Sequence, residues 1–141
     1  SSLIDLNPNV IRIINRTKSS GIKLIKHFEK FTQSKKSFET ALLNSNPIND
    51  VDLLVNCTSC GMNGKNPLAI ELASMKKKSL VYDIVYDPAH THLMKLAVDN
   101  KLQNTNGFYM LVRQAAESFH RWFGIMPEDS HINEIIKILK K

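Results

Sequence analysis

Several stretches of this chain carry residue types that could do chemistry, and each also has a plainer use. Asn15-Arg16-Thr17-Lys18 follows a short β-branched run and offers a guanidinium and an ammonium with no carboxylate. An arginine there can grip a phosphate through paired, charge-assisted hydrogen bonds, although a polar strand-to-helix loop uses the same residues. Cys57-Thr58-Ser59-Cys60 brings two thiols and two hydroxyls into one loop. Its Cys-x-x-Cys spacing, taken alone, suggests a redox couple or half a zinc site; there is no second cysteine pair, and of the five histidines only His90 and His92 are close together. Two incidental reduced thiols are therefore expected, and no metal is assigned. Asp83 interrupts an apolar run, where a carboxylate needs hydrogen-bond partners, so a structural role is expected ahead of a catalytic one. Tyr86 ends that run, either packing with a wet tip or turning its hydroxyl into a crevice. Gln114 stands amid Met110, Leu111, Ala115 and Ala116, and its carboxamide must find backbone groups or a polyol ligand.

The elements that hold these residues can be read from periodicity. Ser1-Ser2-Leu3-Ile4-Asp5-Leu6 resembles the last turns of a helix, broken by Asn7-Pro8-Asn9, and Val10-Ile11-Arg12-Ile13-Ile14 is a buried strand. Ile22, Ile25 and Phe28 recur at helical spacing among lysines, which predicts a helix over 18–31. Residues 37–43 carry no clear signal, and 44–50 form a polar loop. Strands are predicted over 51–56 and 80–86, the latter apolar on both faces except at Asp83, as in a parallel sheet covered on both sides. A loop over 61–67 and a short helix over 68–75 separate them. Beyond lie a helix over 91–102, a turn over 104–107, and a long helix with the face Phe108, Leu111, Ala115, Phe119 and Trp122 ending near Gly124. On it Met110 and Gln114, four apart, share a side. A final helix starts near Asp129 or Ser130, striped by Ile132, Ile135, Ile136 and Leu139. Strands alternating with helices give an α/β, Rossmann-like fold: a mostly parallel sheet with helices on both faces and ligands at the carboxyl ends of the strands.

Composition agrees with this picture. With 141 residues, 43% hydrophobic and 23% charged, the chain suits one ordered domain over 1–141. No apolar run reaches the ~18–20 residues of a membrane span and no secretory leader opens the chain, so a cytoplasmic location without a membrane is expected. The net charge of +6 suits an anionic ligand. Its lysines are scattered in short runs (Lys35-Lys36, Lys76-Lys77-Lys78, Lys140-Lys141), as on solvated turns and helix ends, and nucleic acid is not expected as a partner.

Taken in order, Asn-Arg-Thr at 15–17, Asp-Leu-Leu-Val-Asn-Cys-Thr-Ser-Cys-Gly-Met at 52–62, Tyr-Asp-Ile-Val-Tyr-Asp-Pro at 82–88 and Asn-Gly-Phe-Tyr-Met-Leu-Val-Arg-Gln-Ala-Ala at 106–116, followed by Phe119, Trp122, Phe123, Gly124 and Pro127, resemble the shikimate dehydrogenase family across nearly the whole chain. The resemblance implies NADP-dependent, reversible reduction of 3-dehydroshikimate to shikimate in aromatic amino-acid biosynthesis. By that likeness Asn15, Arg16, Thr17 and Lys18 hold the adenosine 2′-phosphate end of the cofactor, since no acidic residue receives a bare ribose hydroxyl there. Thr58 and Ser59 line the cofactor. Ile84, where the family often has methionine, lies with Gly107 and Met110 against the nicotinamide, and Tyr86 and Gln114 contact the small-molecule substrate. The glycine-rich pyrophosphate turn and the lysine and aspartate that handle the hydroxyl proton have no match here. The expectation is an N-terminally truncated cofactor-binding part, lacking its substrate domain, with no catalytic residue of its own and with homodimerisation as its assembly. A quinate or quinate/shikimate dehydrogenase, and a non-catalytic pyridine-nucleotide-binding module, are the alternatives.

Overall fold

The β-branched run forms strand β1 (Val10–Ile14), as predicted, in a computed structural model that describes residues 2–30, 37–42 and 47–139. It follows a single helical turn, α1 (Ser2–Asp5), closed where Asn7 takes a left-handed φ of 53° and donates its N–H to the Ile4 carbonyl. Helix α2 (Lys18–Glu29) comes next, then strand β2 (Ser37–Ala41), parallel to β1 with Arg12 opposite Glu39. That facing pair is an ion pair: Arg12 reaches the Glu39 carboxylate at 2.7 Å through Nε and through Nη2, and donates from Nη1 to the Pro47 carbonyl at 2.8 Å. β2 was invisible to periodicity because the strand carries Ser37, Glu39 and Thr40; its backbone ladder with β1 decides the matter. Gly21 of α2 lies over these strands, where a Cβ would make ordinary contact with Thr40 Cγ2 at 3.4 Å and Ile13 Cγ2 at 3.7 Å. Ile25 is buried beside it on α2, while Ile22 stays 38% exposed. These elements belong to the first of two compact units, Ser1–Asn49 and Asp50–Lys141. Phe31, Lys35, Lys36, Leu43, the start of the 44–50 loop, Lys140 and Lys141 fall outside the described residues.

The second unit is built on three parallel strands in the order β3 (Leu53–Asn56), β4 (Leu80–Asp83) and β5 (Gln103–Asn106). The register pairs Leu54 with Val81 and Val81 with Asn104. Val81 is fully buried, as a central strand flanked on both sides requires. β5 replaces the turn expected over 104–107. All four of its residues are polar, so propensity argued against a strand, yet β4 offers a free parallel edge and β5 satisfies it. The helix expected over 68–75 is likewise absent. The chain is irregular there and buries Ile70, Leu72 and Met75, with one turn closed by the Met75 N–H on the Leu72 carbonyl at 3.0 Å.

Helix α3 (His92–Asp99) is capped by Thr91, whose hydroxyl accepts from the Met94 N–H at 3.2 Å. Leu93, Met94 and Ala97 form its buried face. Helix α4 (Phe108–Phe123) ends at Gly124, whose φ of 72° places it in the left-handed region, as predicted for that stop. Its buried stripe is Phe108, Val112 and Ala116, one position round from the expected face; Phe119 is 42% and Trp122 78% exposed. Helix α5 (Asp129–Leu139) packs Ile132 and Ile136 against Val112 and Ala116, and its Ile135 and Leu139 are exposed. Among the described residues no helix is long and apolar enough to cross a membrane.

Candidate functional site

At the carboxyl ends of the second unit's strands, Asn56, Asp83 and Asn106 stand side by side in register. All three are buried: 3%, 0% and 9% exposed. Polar groups so placed need partners, and these have them. Asp83 Oδ1 accepts from Asn56 Nδ2 at 2.9 Å and from the Val85 N–H at 3.1 Å, and Oδ2 accepts from the Thr91 hydroxyl at 2.6 Å. The structural role expected for Asp83 is the one the geometry supplies. Asn106 Nδ2 donates to the Ala89 carbonyl at 3.1 Å, and its Oδ1 accepts from the Phe108 N–H at 3.3 Å, starting α4 where β5 ends.

Asn56 also organises the hydroxyl- and thiol-bearing loop. Its Oδ1 accepts from both the backbone N–H of Thr58, at 3.0 Å, and the Thr58 hydroxyl, at 2.7 Å. Thr58 Oγ1 in turn accepts from the Cys60 N–H at 3.1 Å. Thr58 and Ser59 thus sit exposed in a loop with fixed backbone, as a ligand-lining segment needs. Cys57 is exposed, Cys60 is half-buried, and both are free. Burial raises the Tyr82 phenol above its ordinary value of 10.0, and the charge of Cys57 adds to that shift. Among the described residues no group of three or more potential ligands could hold a metal ion.

Gly107 meets Ile84 directly. A Cβ on Gly107 would overlap the Ile84 carbonyl oxygen and stand 2.8 Å from its carbonyl carbon, so only glycine lets the start of α4 approach the end of β4 this closely. Tyr86, 40% exposed, tilts against Phe108 with ring centroids 6.2 Å apart. Met110 and Gln114 share one face of α4, as their spacing predicts, and line a shallow depression of about 400 Å³ with Arg113, Glu117, Ser118 and Arg121. Gln114 is exposed there and not enclosed by its apolar sequence neighbours.

In the first unit, Asn15, Arg16, Thr17 and Lys18 are all exposed at the carboxyl end of β1 and the first turn of α2. Asn15 Oδ1 accepts from the Thr17 N–H at 3.2 Å, which shapes the turn. Thr17 occupies the helix-capping position, yet its side chain makes no capping bond. The positive end of α2 and two cationic side chains are therefore presented together, an arrangement suited to a phosphate.

A family profile described as "Shikimate 5'-dehydrogenase C-terminal domain" matches residues 107–137. A shikimate dehydrogenase (NADP(+)) of Chelativorans sp. (strain BNC1) is 39% identical over 127 residues, covering 89% of this chain and 44% of the relative. That of Prochlorococcus marinus (strain MIT 9301) is 33% identical over 143 residues, covering 96% and 50%. This chain belongs to the shikimate dehydrogenase family. It spans about half the length of the curated relatives it matches. A solved shikimate dehydrogenase in complex with NADP+ superimposes with a TM-score of 0.78 at 26% identity, covering 93% of this chain and 47% of that one. Quinate dehydrogenase from Corynebacterium glutamicum in complex with NAD reaches 0.80 at 22% identity, covering 94% and 48%; at that identity it shows the fold alone. The Rossmann-like α/β fold expected from the alternation of elements is thus shown.

Sequence reading missed Asn56, Thr91 and Asn106 as part of the framework. Thr91 carried a signal, a threonine just before an apolar helical stripe. The two asparagines carried none, because nothing in a single sequence marks which strand-end polar residue is buried.

Proposed function

We propose that this chain is the cofactor-binding part of an NADP-dependent shikimate dehydrogenase, an oxidoreductase that interconverts 3-dehydroshikimate and shikimate. The observation that carries the reading is the exposed Asn15-Arg16-Thr17-Lys18 turn, cationic and free of carboxylates, at the uncapped start of α2, in a chain whose relatives bear the name shikimate dehydrogenase (NADP(+)). Arg16, with Asn15, Thr17 and Lys18, holds the adenosine 2′-phosphate. Thr58 and Ser59 line the dinucleotide, and Ile84, Gly107 and Met110 lie against the nicotinamide. The Gly107–Ile84 contact supports this to the extent that it holds the start of α4 against the end of β4, at the carboxyl ends of the strands where such folds bind ligands. When bound, the cofactor supplies hydride transfer; this chain's residues position and orient it. Tyr86 and Gln114 are exposed, and offer one phenolic hydroxyl and one carboxamide to a polar, multiply hydroxylated substrate.

The test is a steady-state assay of NADP reduction by shikimate, and separately by quinate, with the full-length protein that contains this sequence. Shikimate-dependent NADP reduction is expected. Quinate as the preferred substrate would move the assignment to a quinate dehydrogenase, and no turnover with either would reduce it to a nucleotide-binding module. The 141-residue chain alone should show only background, because the resemblance places the proton-handling lysine and aspartate at no residue within it.

A further inference from the structure

The loop between Asn56 and Gly61 is held at Thr58 and at Cys60 by one buried side chain, Asn56. At its start, Asn56 fixes Thr58 and Cys60: Nδ2 donates to the Cys60 carbonyl at 3.2 Å as well as to Asp83, and Oδ1 accepts twice from Thr58. At its end, Gly61 turns with a φ of 93°. Gly61 also donates to the carbonyls of Lys65 and Asn66, closing the following turn. Asn56 is in turn held by Asp83, 0% exposed.

All three groups that contact the Asp83 carboxylate donate to it, and they come from separate segments: Asn56 from the end of β3, Val85 from the chain after β4, and Thr91 from the cap of α3. No cation among the described residues pairs with it. A buried carboxylate without a cation depends entirely on such donors, and removing one is far costlier than losing a surface hydrogen bond. Thr91 is committed in both directions, donating to Asp83 and accepting from the Met94 N–H at the head of α3. The hydroxyl therefore cannot rotate away without releasing one partner.

We infer that Asp83 and Thr91 are positioning residues for the cofactor: through Asn56 they set the backbone of the Cys57–Cys60 loop so that its exposed Thr58-Ser59 segment faces a dinucleotide. This deepens the reading above and rests on it where the dinucleotide is concerned. Neither residue needs to touch the ligand, since both act by removing the loop's alternative conformations before binding. The geometry further implies that α3 and the loop are coupled, because one hydroxyl serves both.

The experiment compares the wild-type full-length protein that contains this sequence with its Thr91→Val variant, which keeps the shape and deletes the hydroxyl, and with Thr91→Ser, which keeps the hydroxyl. Two quantities are read: backbone amide NMR shifts of Thr58 to Gly61 without ligand, and NADP affinity by calorimetric titration. Thr91→Val should displace the loop amides and weaken NADP roughly tenfold, whereas Thr91→Ser should restore most of both. If Thr91→Val does not fold, Asp83→Asn carries the same comparison, as it keeps the volume while turning an acceptor into a donor. Loop amides that overlay the wild type in a folded Thr91→Val or Asp83→Asn would overturn the inference, as would failure of both variants to fold, which would make the network a determinant of stability alone. Absence of NADP binding by the wild-type full-length protein would sink the cofactor reading instead, leaving the loop comparison intact as the test of positioning.

Discussion

Gly107 and Tyr82 show how single residues constrain this molecule. Gly107→Ala would force a methyl group into the Ile84 carbonyl; backbone has little room to retreat, and overpacking of this kind costs about 1–3 kcal/mol or more. A drop in the urea midpoint together with loss of NADP binding is expected, and an unchanged midpoint would show that α4 can slide. Tyr82 titrates above its ordinary 10.0 because burial disfavours the phenolate, with Cys57 adding to it. A group whose folded value is raised contributes stability that is complete below its unfolded value, so stability should hold up to about pH 10 and fall as pH rises beyond it. Tyr82→Phe should remove that part of the loss; identical midpoints for both proteins from pH 8 to 11 would contradict the assignment. Tyr86→Phe and Gln114→Ala should each weaken shikimate use by about 1–3 kcal/mol with NADP affinity little changed, measured as kcat/KM for each substrate in the full-length protein. What sequence could show at this scale was chemistry that its own residue type announces: Arg16 without a carboxylate, or Asp83 in an apolar strand. Burial and register, which make Asn56 and Asn106 part of the framework, come only from the sheet.

At the scale of elements, strands β1, β3 and β4 were legible because their cores are β-branched or leucine-rich, and α4 ended where Gly124 said it would. β2 and β5 were not, since both are polar and form by filling the free edge of a neighbour. The stripe on α4 was misplaced by one position: Leu111, Ala115, Phe119 and Trp122 repeat at helical spacing just as Val112 and Ala116 do, and only contact with α5 separates the two faces. That contact is testable. Ile132 and Ile136 are 1% and 2% exposed, so Ile136→Ala should cost about 2–5 kcal/mol in denaturant unfolding. Breaking the exposed Arg113–Asp129 ion pair, 2.9 Å long, should cost no more than about 1 kcal/mol. The reverse order would mean that charge and not apolar packing joins α4 to α5.

For the molecule as a whole, the net charge of +6 gains meaning from where its cations stand. Arg16 and Lys18 face solvent at the positive end of α2, whereas Arg12 is neutralised by Glu39 and Lys76 by Asp52. The chain matches its curated relatives over about half their length, so the most direct test reads one of its own residues within the full-length protein that contains this sequence. NADP and NAD should be titrated by calorimetry against that wild-type protein and its Arg16→Ala variant at one fixed salt concentration, because an exposed phosphate contact is screened as ionic strength rises. The wild type should prefer NADP, and Arg16→Ala should weaken NADP by about ten- to a hundredfold while leaving NAD almost unchanged, since NAD carries no phosphate at that position. Equal losses for both cofactors, or a wild-type preference for NAD, would contradict the account.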